Sequence, residues 1–406
     1  MKYQKWNIGT PAEQDVALLQ SAGYSYLLAT VLAARGVTTP EAAAEFLDRE
    51  RSLTTSPMLM RDMDKAVERI QRAIAGGETV AVFGDYDVDG ISASSLLYLY
   101  LTQRGGRVAT YIQQRKSEGY GLNDEAVQNI AEKGTTLVIS VDCGISGLLE
   151  VANAPKSLDI IITDHHTVPE VLPPAYAIIN AKQRDCGYPF KHLSGVGIAF
   201  KLCQALEQRE PGRLPKWQEL TELAALGTVA DIVPLIGENR ELVRRGLKAM
   251  ETTKLVGLRA LIKASGCPET GIASDNIGFG LAPRLNAVGR LEHAQLAVEL
   301  LVTDDSVKAE KIAAELNEGG ANVVVSSLDA AINWGRSNSL WSLTFGTSCC
   351  GIEFMAVGCA RYDFSRFGFE VTRHSPRPSY LIMCAGPITH KNAPVFHLLD
   401  ARLHPK

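Results

Sequence analysis

The chain has 406 residues, 46% hydrophobic and 21% charged, with a formal net charge of -4, which suits a soluble protein of two or three domains. That charge excludes an overall basic surface for polyanions, although a local groove of Arg and Lys suffices for nucleic acid. No apolar run reaches transmembrane length, and Met1-Lys-Tyr-Gln-Lys-Trp-Asn-Ile8 lacks the apolar core of a signal peptide, so a cytoplasmic location away from membranes is expected.

Residues 1–60 predict short helices at Ser21–Arg35 and Thr39–Leu47, the second opened by Thr39-Pro40, and Arg61–Ala75 predicts an amphipathic helix. From Gly77 to Asn180 the pattern alternates. Apolar runs at Thr79–Gly84, Arg107–Ile112, Leu137–Val141, Ile160–Thr163 and Tyr176–Asn180 predict buried strands. Helical segments at Ser92–Gln103, Asp124–Glu132 and Ser146–Ala152 separate them. Such alternation implies an α/β fold with a parallel sheet covered by helices on both faces. A helix at Ile198–Gln208 then opens a long helical region, with further helical or mixed segments at 257–266, 276–290 and 294–301.

Polar residues fall where the strands end. Asp85, Asp87 and Asp89 follow the first, Asp142 follows the third, and Asp164-His165-His166 follows the fourth. Asp231 closes an apolar helix over 224–231 shortly before Pro234. A parallel sheet brings its carboxyl ends to one edge, where ligands bind. Carboxylates gathered there repel one another unless a cation sits between them. Oxygen donors suit Mg²⁺ or Mn²⁺, and added imidazole moves the preference toward Mn²⁺. An EF-hand is excluded: counted from Asp85, its twelfth position is Leu96 rather than Glu, and the triplet follows a strand. Four such groups carry enough donors for two metals sharing a bridging aspartate, an arrangement suited to phosphoryl transfer.

Gly84-Asp-Tyr-Asp-Val-Asp-Gly90, Val141-Asp-Cys-Gly144, Asp164-His-His166 and Gly227-Thr-Val-Ala-Asp-Ile-Val-Pro234 resemble the four ordered motifs of the DHH phosphoesterase superfamily. Arg115-Lys-Ser-Glu-Gly-Tyr-Gly-Leu122, Tyr188–Gly197 and Pro283-Arg-Leu-Asn-Ala-Val-Gly-Arg290 are similar to blocks of its RecJ single-stranded-DNA exonucleases. The resemblance covers about residues 1–318 and implies a DHH domain over 61–240 and a helical connecting region over 241–318. It implies that Asp87, Asp89, Asp142, His165 and Asp231 bind two Mn²⁺ or Mg²⁺, with Asp142 as bridge and Asp85 as ligand or supporting group. His166 would contact the scissile phosphate, Asp164 would orient the histidines, and Arg115 and Arg290 would hold phosphates of the strand. The implied reaction is hydrolysis at the 5′ end of single-stranded DNA with release of 5′-mononucleotides. Protein partners are not implied. Another phosphoesterase of the superfamily, acting on short oligonucleotides or cyclic dinucleotides, and a non-catalytic nucleic-acid-binding remnant are the alternatives.

The character of the chain changes after Glu318. Residues 319–406, with Cys349-Cys350 and Ala360-Arg-Tyr-Asp-Phe-Ser-Arg-Phe-Gly368, resemble a truncated B subunit of the respiratory NADH:quinone oxidoreductase, complex I. In that family a Cys pair supplies two of four thiolates to an Fe–S cluster. The two later thiolates have no match here, so no functional cluster is expected. The RecJ group's second domain and OB-fold are also not found, which leads to the expectation of a chimeric reading frame with impaired activity.

Overall fold

A computed structural model of the chain describes residues 10–48, 55–113, 121–211, 216–289 and 294–318, together with two paired dipeptides, Phe354–Met355 and Leu381–Ile382. Arg115, Arg290 and the Cys349-Cys350 pair lie outside the described residues.

The contacts divide the chain into two units. In the N-terminal unit, α1 (Glu13–Ser21), α2 (Tyr26–Ala34) and α3 (Pro40–Leu47) bury Val16, Leu19, Ala29, Leu32, Ala33 and Ala43 among themselves. Ser25 and Thr39 cap α2 and α3 by accepting from Leu28 N–H and Ala42 N–H. The short first helix was not expected from the sequence. It has no side-chain cap, so the usual start signal is missing.

The larger unit opens with α4 (Met63–Ala75) and then winds a five-stranded sheet. Its strands are β1 (Thr79–Gly84), β2 (Arg107–Ile112), β3 (Thr135–Val141), β4 (Asp159–Thr163) and β5 (Ala177–Ile179). The order is β2-β1-β3-β4-β5, and every pairing is parallel. This order reverses direction between β1 and β3, and the crevice outside the strand ends at that reversal is where doubly wound sheets bind ligands. The register aligns the ends: Gly84 pairs with Val141, and Val141 with Thr163. The residues that follow, Asp85, Asp142 and Asp164, therefore emerge along one edge.

Helix α5 (Val88–Gln103) crosses from β1 to β2 and is buried on nearly every side, including Ile91, Leu96, Leu97 and Tyr100. Each fully buried Leu or Ile contributes about 1.5–3 kcal/mol to stability. It packs against α8 (Gly195–Arg209), α9 (Thr221–Ala230) and α13 (Ala294–Val302). The opposite face of the sheet is closed by α6 (Asp124–Glu132) and α7 (Leu148–Ala152), where Phe83, Val127, Val138, Val151 and Ile162 form one cluster. Helices α10 (Gly237–Met250), α11 (Val256–Ser265), a π-helical segment at Asn276–Leu281, α12 (Ala282–Gly289) and a helix over 306–318 follow among the described residues of the unit.

Two polar networks tie these layers, the first partly exposed and the second buried. At the amino ends of the strands, Arg69 of α4 reaches Asp159 at 2.6 Å, Glu78 at 2.8 Å and the Thr136 carbonyl at 3.3 Å. Beneath α8 and α10, the Lys201 ammonium is fully buried and lies 2.7 Å from Glu238, which also accepts from the Tyr188 hydroxyl at 2.7 and 2.8 Å. The second network fixes the Tyr188–Gly197 loop that leads into the site.

Candidate metal centre

The aspartate triplet is a strand-to-helix turn. The sequence placed the start of α5 at Ser92, but the helix begins at Val88 because Asp87 caps it, accepting from Asp89 N–H at 2.9 Å and Gly90 N–H at 3.1 Å. Asp89 thus sits in the first helical turn, 1% exposed. Its two oxygens accept from Gly195 N–H at 2.6 Å and Val196 N–H at 2.9 Å, at the start of α8. A helix N-terminus carries partial positive charge, which steadies this buried carboxylate.

Asp142 follows β3 with φ 59°, a left-handed conformation that Asp tolerates better than most residues. Gly195 makes room for it: a Cβ on Gly195 would lie 2.5 Å from Asp142 Oδ1. Gly227 of α9 does the same for Asp89, whose Oδ1 a Cβ would meet at 2.6 Å. Asp231 ends α9. His165 Nε2, which makes no hydrogen bond of its own, converges on the same point, 3.1 Å from Asp142 Oδ1, 3.6 Å from Asp231 Oδ2 and 4.0 Å from Asp89 Oδ2.

Two donor groups result, linked by a third. Asp89, His165 and Asp231 bring one ligand atom each within 4.8 Å of one another, and so do Asp85, Asp87 and Asp142. Asp142 also groups with His165 and His166, so it stands between the two sets. All eight candidates other than the two arginines are therefore gathered at the carboxyl edge, seven as members of these groups, with Asp164 beside them.

Asp164 works through hydrogen bonds. Its Oδ1 accepts from His165 N–H at 2.7 Å and His166 N–H at 2.9 Å and meets His166 Nδ1 at 2.7 Å, while Oδ2 accepts from Ile145 N–H at 2.9 Å. Burial opposes its ionisation, but the His166 contacts outweigh burial and hold the carboxyl below its ordinary range. The same hydrogen bond raises the His166 imidazole above its usual value.

The remaining groups shift as a crowded anionic site should. Burial and then Asp231 push Asp89 well up, and burial and then Asp89 do the same to Asp142. Burial, followed by Asp87, lifts Asp85 to about 7 and Asp231 to about 6. Burial and the neighbouring His166 lower His165 to about 4, which leaves it a neutral donor at neutral pH. A neutral imidazole amid carboxylates that resist ionising together fits a divalent cation: the ion would remove the repulsion and use the lone pair.

Several contributors escaped the sequence reading. Gln113, the residue after β2, donates to Asp85 through Nε2, and the strand-end rule that found the aspartates would have found it. Asn180 donates to the His166 carbonyl at 3.0 Å and accepts from Lys182 N–H at 2.8 Å. Asn286 of α12 accepts from Val88 N–H at 3.2 Å. Asn180, the residue after β5, falls under the same rule, whereas no sequence signal marks Asn286, which only the tertiary fold brings to the site. Arg284, in the block that ends at Arg290, is 2% exposed and bonds Asn317 at 2.7 Å and the Gly280 carbonyl at 2.5 Å, so it braces α12.

A doubly wound sheet with an aspartate turn, a lone aspartate and an Asp-His-His on one edge defines a DHH-type domain, and residues 79–228 match the model of the DHH family, N-terminal domain. The single-stranded-DNA-specific exonuclease RecJ of Bacillus subtilis is 42% identical over 333 residues, covering 81% of this chain and 42% of that protein. A crystal structure of exonuclease RecJ bound to manganese is 34% identical with a TM-score of 0.61, over 67% of this chain and 68% of that one. RecJ of Thermus thermophilus in complex with Mn²⁺ gives 30% identity and a TM-score of 0.67, over 81% of this chain and 47% of that one. The chain belongs to the DHH family, in its RecJ group. It spans about half or less of the curated RecJ relatives it matches, 42% of the Bacillus subtilis protein and 52% of that from Dickeya dadantii. A different similarity covers a quarter of the chain: the B subunit of NADH-quinone oxidoreductase from Phocaeicola vulgatus is 64% identical over 103 residues, 52% of that protein. Among the described residues, no helix is long and apolar enough to cross a membrane.

Proposed function

We propose that the chain is a divalent-metal-dependent phosphodiesterase acting in the cytoplasm on single-stranded DNA from its 5′ end, releasing 5′-mononucleotides. One observation carries this reading: buried carboxylates from three strand ends and a helix end converge with a neutral imidazole at the switch point of the sheet. Asp87, Asp89, Asp142, His165 and Asp231 would hold two Mn²⁺ or Mg²⁺, with Asp142 shared and Asp85 as a further ligand or a support. When bound, the ions neutralise charge on the phosphate and activate the attacking water.

The chain's own groups do the rest. Asp164 grips Nδ1 of His166 and favours its protonated form, so the imidazolium meets a non-bridging phosphate oxygen as charge builds in the transition state. Gln113 and Tyr86 N–H both donate to Asp85 and orient it in the donor set it forms with Asp87 and Asp142. The Gly195 and Val196 amides hold Asp89 still, so the donor geometry exists before substrate arrives. Arg115 and Arg290 complete the reading as phosphate holders.

The test is nucleotide release by the full chain from 5′-labelled single strands in Mn²⁺, beside Asp87→Asn. Asparagine keeps the helix cap and removes the charge. Mononucleotide release by the wild type, lost in the variant and in chelator, is the expected result. Equal release by both would refute the assignment.

A further inference from the structure

Helix α9 ends at Asp231, whose N–H bonds the Gly227 carbonyl at 2.9 Å, and the next amide, of Ile232, turns back to the Val229 carbonyl at 3.2 Å. Ile232 holds the position after the cap, with φ 59°. Glycine favours that position, and a β-branched side chain is strained there. The strain is not repaid by burial, because Ile232 is 76% exposed. Local structure alone therefore argues against isoleucine at this residue.

Its location supplies a reason. Asp231, the preceding residue, points Oδ2 to within 3.6 Å of His165 Nε2 in the donor cluster. Neighbouring Cα atoms lie about 3.8 Å apart, so the exposed Ile232 is anchored one residue from a member of the donor cluster. Ile236, 45% exposed, is a second exposed aliphatic residue on the same loop. Aliphatic side chains of this kind insert against base faces in other nucleic-acid complexes.

We propose that Ile232 is a base-contacting residue: its side chain packs on an unpaired nucleobase flanking the phosphate held at the carboxylate cluster. This rests on the phosphodiesterase reading and deepens it. A paired, stacked base does not offer its face in this way, so the contact favours single strands over duplex. The left-handed backbone holds the side chain out toward solvent in advance of binding.

The experiment compares the full chain with Ile232→Gly and Ile232→Leu on two oligonucleotides, one normal and one whose first two 5′ nucleotides are abasic. Affinity is read by fluorescence anisotropy in Ca²⁺, and nucleotide release is read separately in Mn²⁺. The wild type and Ile232→Leu are expected to prefer the normal strand by about tenfold, the scale of one base contact. Ile232→Gly is expected to bring that ratio to near unity while its melting temperature holds or rises, since glycine takes the turn without strain. A wild-type ratio retained in Ile232→Gly would overturn the proposal, as would equal weakening on both strands with a lower melting temperature. Absence of nucleotide release by the wild type would count against the phosphodiesterase reading, while the affinity ratio still judges Ile232.

Discussion

Gly227→Ala isolates the packing that sets the donor geometry. Gly227 lies inside α9, where alanine is favoured over glycine by about 0.8–1 kcal/mol. The new methyl would stand 2.6 Å from Asp89 Oδ1, 2.8 Å from Val196 Cγ1 and 3.1 Å from Asp89 Cα. Ordinary contact begins near 3.4 Å, so the carboxylate must retreat by several tenths of an ångström. It cannot retreat freely, because Gly195 N–H and Val196 N–H hold it at 2.6 and 2.9 Å. Overpacking of this kind costs about 1–3 kcal/mol, partly offset by the helix gain, so the net loss of stability is small. The functional loss is larger, since misplacing a site group by about 1 Å can lower the rate about 100-fold. Gly278→Ala, with nothing within 4 Å of its Cβ, is the control. Calorimetric Mn²⁺ titration and nucleotide release measure both effects. Wild-type affinity and rate in Gly227→Ala would refute the steric account.

Three further outcomes follow from the same geometry. The metal-free protein should lose stability as pH rises: Asp231 and Asp85 have folded values raised to about 6 and about 7, so their contribution is full below the ordinary 3.8 and disappears through those values. Thermal melts from pH 4 to 8 should show this decline, and Mn²⁺ should reverse it; a flat metal-free profile would contradict the crowding of charge. Lys201→Met should destabilise the fold by about 3–5 kcal/mol by stranding buried Glu238, measured by urea unfolding, and Lys201→Met with Glu238→Gln should recover part of it; an unchanged midpoint in the single variant would contradict the buried pair. His166→Gln should lower the rate about 100-fold or more while leaving Mn²⁺ stoichiometry intact, and loss of a metal ion in that variant would make His166 a ligand instead.

The sheet and its reactive edge were legible because buried parallel strands read as continuous apolar runs, and the polar residue after each run marks the ligand edge. Asp85, Asp142 and Asp164 follow directly from that rule. The start of α5 was misread by one turn because the acidic triplet looks like a loop until Asp87 is recognised as a cap. The roles of Gly195 and Gly227 were hidden, since a glycine in a helix pattern does not announce which side chain it admits. The same holds for Asn286, whose partner Val88 is remote in the chain. The left-handed turn at Ile232 was equally invisible, because isoleucine there contradicts local preference.

The carboxylate and imidazole groups at the sheet's switch point are proposed to form one two-metal centre that shares Asp142. Electron paramagnetic resonance of the full chain titrated with Mn²⁺ tests it directly. Two bound ions with spin-coupled signals are predicted, and Asp142→Asn, which tolerates the left-handed backbone, should abolish the coupling. Uncoupled Mn²⁺ in the wild type, or coupling that survives in Asp142→Asn, would contradict it.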